Sequence, residues 1–170
     1  GGIEQNGPHM ALIKHNAIAR YTAGKIAEQL GNALVYPIIP FSPAGDPVER
    51  TGHSRFVGTV SLSSEVFMGV MRQVALSALS GGFKNVFLMG DHGGGQAELS
   101  TLAEQMDARC RSNGIHVLFC GAVYEKSRLE LADWLKSKGL PLSNHAGITD
   151  TSEMLYLQPG KEQWVRNIYK

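Results

Sequence analysis

Apolar positions along the chain switch between two spacings, which predicts helices interleaved with short strands. After a polar opening, Ile18, Tyr21, Thr22, Ile26, Ala27 and Leu30 recur at three- and four-residue steps. That stripe predicts a helix from Asn16, a residue able to cap it, to about Gly31. The apolar run at residues 33–39 reads as a buried strand. Residues 40–51, rich in proline, glycine and charge, read as a loop. Ser63 or Ser64 then caps a helix through Ser80, with Val66, Phe67, Val70, Val74 and Ala78 on one face. Gly69 inside it allows another element to pack closely, and Gly81-Gly82 ends it.

A second apolar run, residues 85–89, leads into Gly90-Asp91-His92-Gly93-Gly94-Gly95-Gln96 and a helix bearing Leu99, Leu102, Met106 and Cys110 on one face. Residues 116–120 read as a third strand and residues 124–138 as a helix ending at Gly139. Glu125, Lys126, Arg128 and Glu130 form its solvated face, and Trp134 reads as core or oligomer contact. Thr149 or Thr151 can cap a further helix, with Asp150 at its positive end. Trp164, Val165 and Ile168 fall on a short final helix. Helices alternating with short apolar strands argue for an α/β fold with a mainly parallel sheet covered on both faces.

At 170 residues the chain reads as one domain, residues 1–170. Its net charge of +1 and lack of a basic run argue against nucleic acid or an anionic membrane as partner. No apolar stretch approaches the ~20 residues that span a bilayer. Cys110 and Cys120 form no CxxC pair and read as buried thiols, a disulfide remaining open.

Chemistry concentrates in two places. The opening stretch sets Glu4, His9 and His15 around a Gly7-Pro8 bend, ahead of the first helix. Carboxylate oxygen and imidazole nitrogen suit zinc, manganese or iron, whereas the plain alternative is a polar loop. The second place is the glycine-rich turn after the second strand, a common ligand position in parallel sheets. It contains His92 but neither GKS/T nor GxGxxG, which weighs against a nucleotide site.

These motifs resemble those of the creatininase (creatinine amidohydrolase) family. Glu4-Gln5, Gly7-Pro8-His9 and Leu12 match its first motif, with Asn6 standing for a metal-binding His and His15 for a metal-bridging Asp. His53 followed by Phe56, Gly58-Thr59 and Ser61-Leu62 resembles the second motif. His92-Gly93-Gly94 matches a turn whose His binds metal, with Gly94 where creatininase has a second-metal Glu. His145-Ala146-Gly147, Thr151-Ser152 and Met154-Leu155 match the third motif, with Asp150 for a Glu and Asn144 for an acidic neighbour.

The resemblance implies a three-layer α/β/α sandwich and a metal-dependent hydrolase of a carbon–nitrogen bond in a small amide, lactam, formamide or related cyclic compound, through attack of water on the carbonyl. It implies Glu4, His15, His92 and Asp150 as ligands and His145 as proton-transfer base. Asn6, His9, His53, Gly93, Gly94 and Asn144 would line the pocket or support the ligands. A bridging Asp is absent, so one divalent metal is expected rather than two, zinc first, with manganese or iron as alternatives. The rival readings are a catalytically inactive binding or oligomeric scaffold and a hydrolase of a cyclic ketone in sugar or inositol catabolism. The family further implies a homo-oligomer, often a hexamer, and an N-terminal strand ahead of Gly1. A cytoplasmic location is expected, a signal peptide ahead of Gly1 remaining open.

Overall fold

The apolar runs at residues 85–89 and 116–120 become neighbouring parallel strands, β1 (Asn85–Leu88) and β2 (His116–Phe119), in register Asn85 to His116 and Leu88 to Phe119. The structure, a computed structural model, describes residues 1–160 and 163–167. Parallel strands need a crossover, and helix α3 (Gln96–Cys110) supplies it. Helix α2 (Ser64–Ser80) packs beside α3, its first turn closed by the Ser63 hydroxyl, which accepts from the Val66 N–H. Phe67, Ala75, Leu88, Leu99, Leu102, Ala103, Met106 and Val117 interlock as one buried cluster. Leu102 has no exposed surface, a burial that contributes ~1.5–3 kcal/mol. Asp107 fastens the end of α3 to β2 by accepting from the Val117 N–H at 3.1 Å.

Helix α1 (Lys14–Leu30) starts two residues before the position expected. Asn16 does not cap it: its Oδ1 accepts from the Gly2 N–H at 2.9 Å and so ties the opening segment to the helix. Gly31 ends α1 in the left-handed conformation (φ 72°). Helix α4 (Gly121–Ser137) follows directly on β2, and α5 (Ile148–Leu157) packs on α1. Gly147, not a threonine, caps α5, and no side chain closes its first turn.

Three expectations are corrected. Residues 33–39 form no strand; Leu34 is 75% exposed, and among the described residues β1 pairs only with β2. An apolar run becomes a strand only when its backbone pairs with a ladder, and among the described residues, residues 33–39 make no such pairing. Residues 163–167 form no helix: Val165 makes a single antiparallel bridge with Met10, while Ile168 lies outside the described residues. Trp134 is half exposed, which corrects the core alternative and leaves the oligomer-contact one untouched. Cys110 and Cys120 are free and only partly buried. Among the described residues no helix is long and apolar enough to cross a membrane.

Candidate metal centre

Three distant segments meet at one carboxylate. Glu4 lies on the extended opening segment, which a bridge between Ile3 and Val60 holds in place. His15 is in the first turn of α1, and His92 is in the turn that leaves β1. Glu4 Oε2 lies 3.0 Å from His15 Nε2, and Glu4 Oε1 lies 3.0 Å from His92 Nε2. All three side chains are buried. Burial opposes ionisation of Glu4, but the hydrogen bonds and charges of His15 and His92 outweigh it and hold the carboxyl well below the usual carboxylate range.

The far nitrogen of each imidazole is also fixed. His15 Nδ1 donates to Asp91 Oδ2 at 2.7 Å, and His92 Nδ1 donates to the Gly94 carbonyl at 3.0 Å. Gln96 braces that turn by donating to the carbonyls of Gly90 and His92. Imidazoles that ligate metals are held in this way, with the outer N–H on a carboxylate or carbonyl and the inner nitrogen facing the ion. A tetrahedral ion with ~2.0 Å bonds sets its donors about 3.3 Å apart; each ring nitrogen lies 3.0 Å from its own Glu4 oxygen, and one ligand atom from each of Glu4, His15 and His92 lies within 4.8 Å of the others. The donor set therefore fits a divalent cation of the zinc type.

His145 stands beside this group. Its Nδ1 donates to Asn6 Oδ1 at 2.6 Å and lies 3.9 Å from Glu4 Oε2. With the proton on Nδ1, Nε2 carries the free lone pair. Burial lowers the His145 pKa below its usual value, His53 and Lys14 adding to this and Glu4 and Asp150 opposing it. His53, in a 3-10 turn over Gly52–Arg55, brings Nδ1 to 3.1 Å from Glu4 Oε1. That nitrogen is buried and makes no hydrogen bond.

The sequence model of the family "Creatininase: creatinine amidohydrolase" matches residues 1–166. The chain belongs to the creatininase family. Among its relatives is the mycofactocin precursor peptide peptidase of Mycolicibacterium smegmatis, 27% identical over 164 residues, which cover 94% of this chain and 56% of that protein. The protein of the same name from Mycobacterium tuberculosis is 29% identical, covering 96% of this chain and 60% of its own length. The chain thus spans little more than half the length of these relatives. A crystal structure of creatininase superposes with a TM-score of 0.75 at 24% identity, covering 97% of this chain and 64% of that one. A mutant creatininase of Zn-Zn type gives 0.76 at 23%, with the same coverage of both chains. The fold is accordingly the creatininase α/β sandwich.

The creatininase pattern also shows where this chain departs from it. Asn6 donates through Nδ2 to the Glu4 carbonyl, and its Oδ1 serves His145. At Gly94 a Cβ would meet the Pro43 carbonyl oxygen, so the backbone itself occupies the space a carboxylate side chain would need. At Gly93 a Cβ would come to 3.0 Å from the Tyr124 hydroxyl. Asp150, expected as a ligand, lies 3.9 Å through Oδ2 from His145 Nδ1 and is paired with other groups. Its Oδ1 accepts from Lys14 Nζ at 2.9 Å and its Oδ2 from the Ala146 N–H at 3.0 Å. His9 faces away, sharing a hydrogen bond with Thr151 Oγ1 at 3.0 Å. Asn144 is exposed next to His145.

Two residues at the site escaped the sequence reading. Asp91 carried a signal, a carboxylate next to His92 in the glycine-rich turn. Lys14 carried none, because a lysine opening a helix ordinarily points to solvent.

Proposed function

We propose that the chain is part of a metal-dependent hydrolase of carbon–nitrogen bonds, acting on a peptide or small amide. The observation that carries this reading is the convergence of Glu4, His15 and His92 with His145 at their side. Glu4, His15 and His92 would hold one divalent ion, zinc first and manganese as alternative. When bound it would supply a Lewis acid that polarises a carbonyl and makes water acidic near neutral pH. The names of the relatives and of the superposed structures support a hydrolase of this class, and the mycobacterial relatives add a peptide bond to the candidate substrates.

His145 performs the proton transfers in this reading. Asn6 fixes its tautomer, so Nε2 takes the proton from water and passes it to the leaving nitrogen. The C–N bond breaks, the amine leaves protonated, and the hydroxyl stays on the carbonyl carbon. Asp150 keeps the His145 loop in place through the Ala146 N–H, and Ala146 itself adopts a left-handed conformation (φ 59°). Asp91 orients His15.

The deciding experiment compares the wild type with His145→Ala, loaded with zinc, on a panel of peptides, formamides and lactams. Loss of turnover with one equivalent of zinc still held by Glu4, His15 and His92 is the expected result. Turnover that survives the substitution would overturn the mechanism.

A further inference from the structure

We propose a second, weaker divalent-cation site on the other flank of Glu4, formed by Glu4, His53 and His145, whose filling disables the base. This inference rests on the reading of His145 given above. One ligand atom from each of the three residues lies within 4.8 Å of the others. His53 and His145 stack edge to face with ring centroids 4.4 Å apart. His53 Nδ1 is a buried nitrogen without a hydrogen-bond partner, 3.1 Å from Glu4 Oε1. A buried ring nitrogen left unsatisfied costs free energy unless something claims its lone pair or its proton. A cation between His53 and Glu4 would claim the lone pair.

The donor set is two imidazoles and one carboxylate, which selects zinc-like ions over calcium or magnesium. Glu4 has lone pairs enough for a cation on each flank. The site differs in kind from Glu4–His15–His92. There the outer ring nitrogens are already fixed by Asp91 and Gly94, whereas here His145 is part-exposed and its Nδ1 is engaged by Asn6. Binding through Nδ1 breaks that hydrogen bond, so the second ion binds more weakly than the first.

The chemical consequence follows from the imidazole itself. A neutral ring ligating through Nδ1 carries its proton on Nε2. The proton leaves Nδ1 for solvent and one returns to Nε2, with no net change. Nε2 is the atom that must accept the proton from water, so the second ion abolishes the base without touching the principal donors at His15 and His92.

The test titrates metal-free protein with cobalt(II), followed by calorimetry and visible absorption, alongside His53→Gln. The wild type should bind two equivalents, the second at least tenfold more weakly, and hydrolysis should rise with the first and fall with the second. His53→Gln should keep the first equivalent, lose the second, and lose inhibition by excess metal. Should that variant not fold, His145→Ala, altered at a part-exposed side chain, should likewise bind a single equivalent. One equivalent in the wild type, or two in both wild type and variant, would overturn the second site alone. No binding at all would overturn the metal reading of the whole centre.

Discussion

Lys14 Nζ donates to Asp150 Oδ1 across 2.9 Å, with side chains only 2% and 5% exposed, so that α1 and α5 are joined by an ion pair inside the protein. The other oxygen of Asp150 holds the Ala146 N–H, next to His145. The same pair therefore ties two helices together and sets the loop that carries His145.

A buried charge left without its partner is expensive, whereas removing both charges is not. Lys14→Met should destabilise the fold by ~3–5 kcal/mol, and Asp150→Leu by a similar amount. The double variant Lys14→Met/Asp150→Leu should recover much of the loss. Urea unfolding of the three variants measures this; strictly additive losses would mean that the pair does not act as a unit.

Asp91 would act on a bound ion through His15, by the 2.7 Å bond to Nδ1. Removing such an outer partner typically weakens metal affinity by about 10–100-fold. Asp91→Ala should lose zinc affinity on that scale, as read by competition with a chromophoric chelator, with stability nearly unchanged. An unchanged dissociation constant would show that the orientation of His15 is set elsewhere.

His145 must be neutral to accept a proton, and its pKa lies below the usual imidazole value because of burial, the charges of His53 and Lys14 adding to this. Activity should therefore be present at neutral pH and be lost as pH falls through that lowered value. Asn6→Asp places a carboxylate on Nδ1, favours the imidazolium, and should move the acid limb of kcat upward. Asn6→Ala should reduce kcat roughly 100-fold through loss of the tautomer, the lower end of the about 10²–10⁴-fold that positioned proton transfer contributes. An acid limb that ignores both changes would assign it to another group.

Glu153 is partly buried on α5, and burial, with Asp91 and Asp150 adding negative charge, raises its pKa from 4.5 to about 7 against the opposing charges of Lys14 and Arg128. The folded state thus holds this proton more tightly than the unfolded chain. That stabilisation is complete below pH 4.5 and is lost as pH rises through about 7. Above neutrality, Glu153→Gln should be more stable than the wild type by on the order of 1 kcal/mol after solvent screening, or about 2–4 °C in Tm. The difference should close near pH 4.5. A constant difference at all pH values would point to packing instead.

Much of this was legible in the sequence, and the gaps have physical causes. The spacing of Leu99, Leu102 and Met106 defined α3 because a buried stripe leaves a periodic trace. The glycine-rich turn placed His92 at a strand end, and the opening motif marked Glu4 and His15. The run at residues 33–39 misled because apolar composition records a preference for burial, not the presence of a neighbouring ladder. Lys14 and Asp150 were opaque because a pair separated by 136 positions leaves no local pattern. Asp150 was expected on the metal by resemblance; in this structure its Oδ1 is paired with a lysine that the motif does not include.

The backbone that carries Glu4 is fastened differently from the core. β1 and β2 form a continuous ladder over the packed cluster, but the backbone of the opening segment pairs only in single bridges, Ile3 to Val60 and Met10 to Val165, beside side-chain ties from Asn16 to the Gly2 N–H and from Thr59 to the Gln5 N–H. Isolated bridges open at lower free energy than ladders. The carboxylate common to every donor pair thus sits on a piece of chain that can breathe while the interior stays shut. A cation held there would act as a clasp, trading its own binding energy for the order of that segment. Metal loading would then register as slowed amide exchange across residues 2–12, with the strands beneath hardly affected.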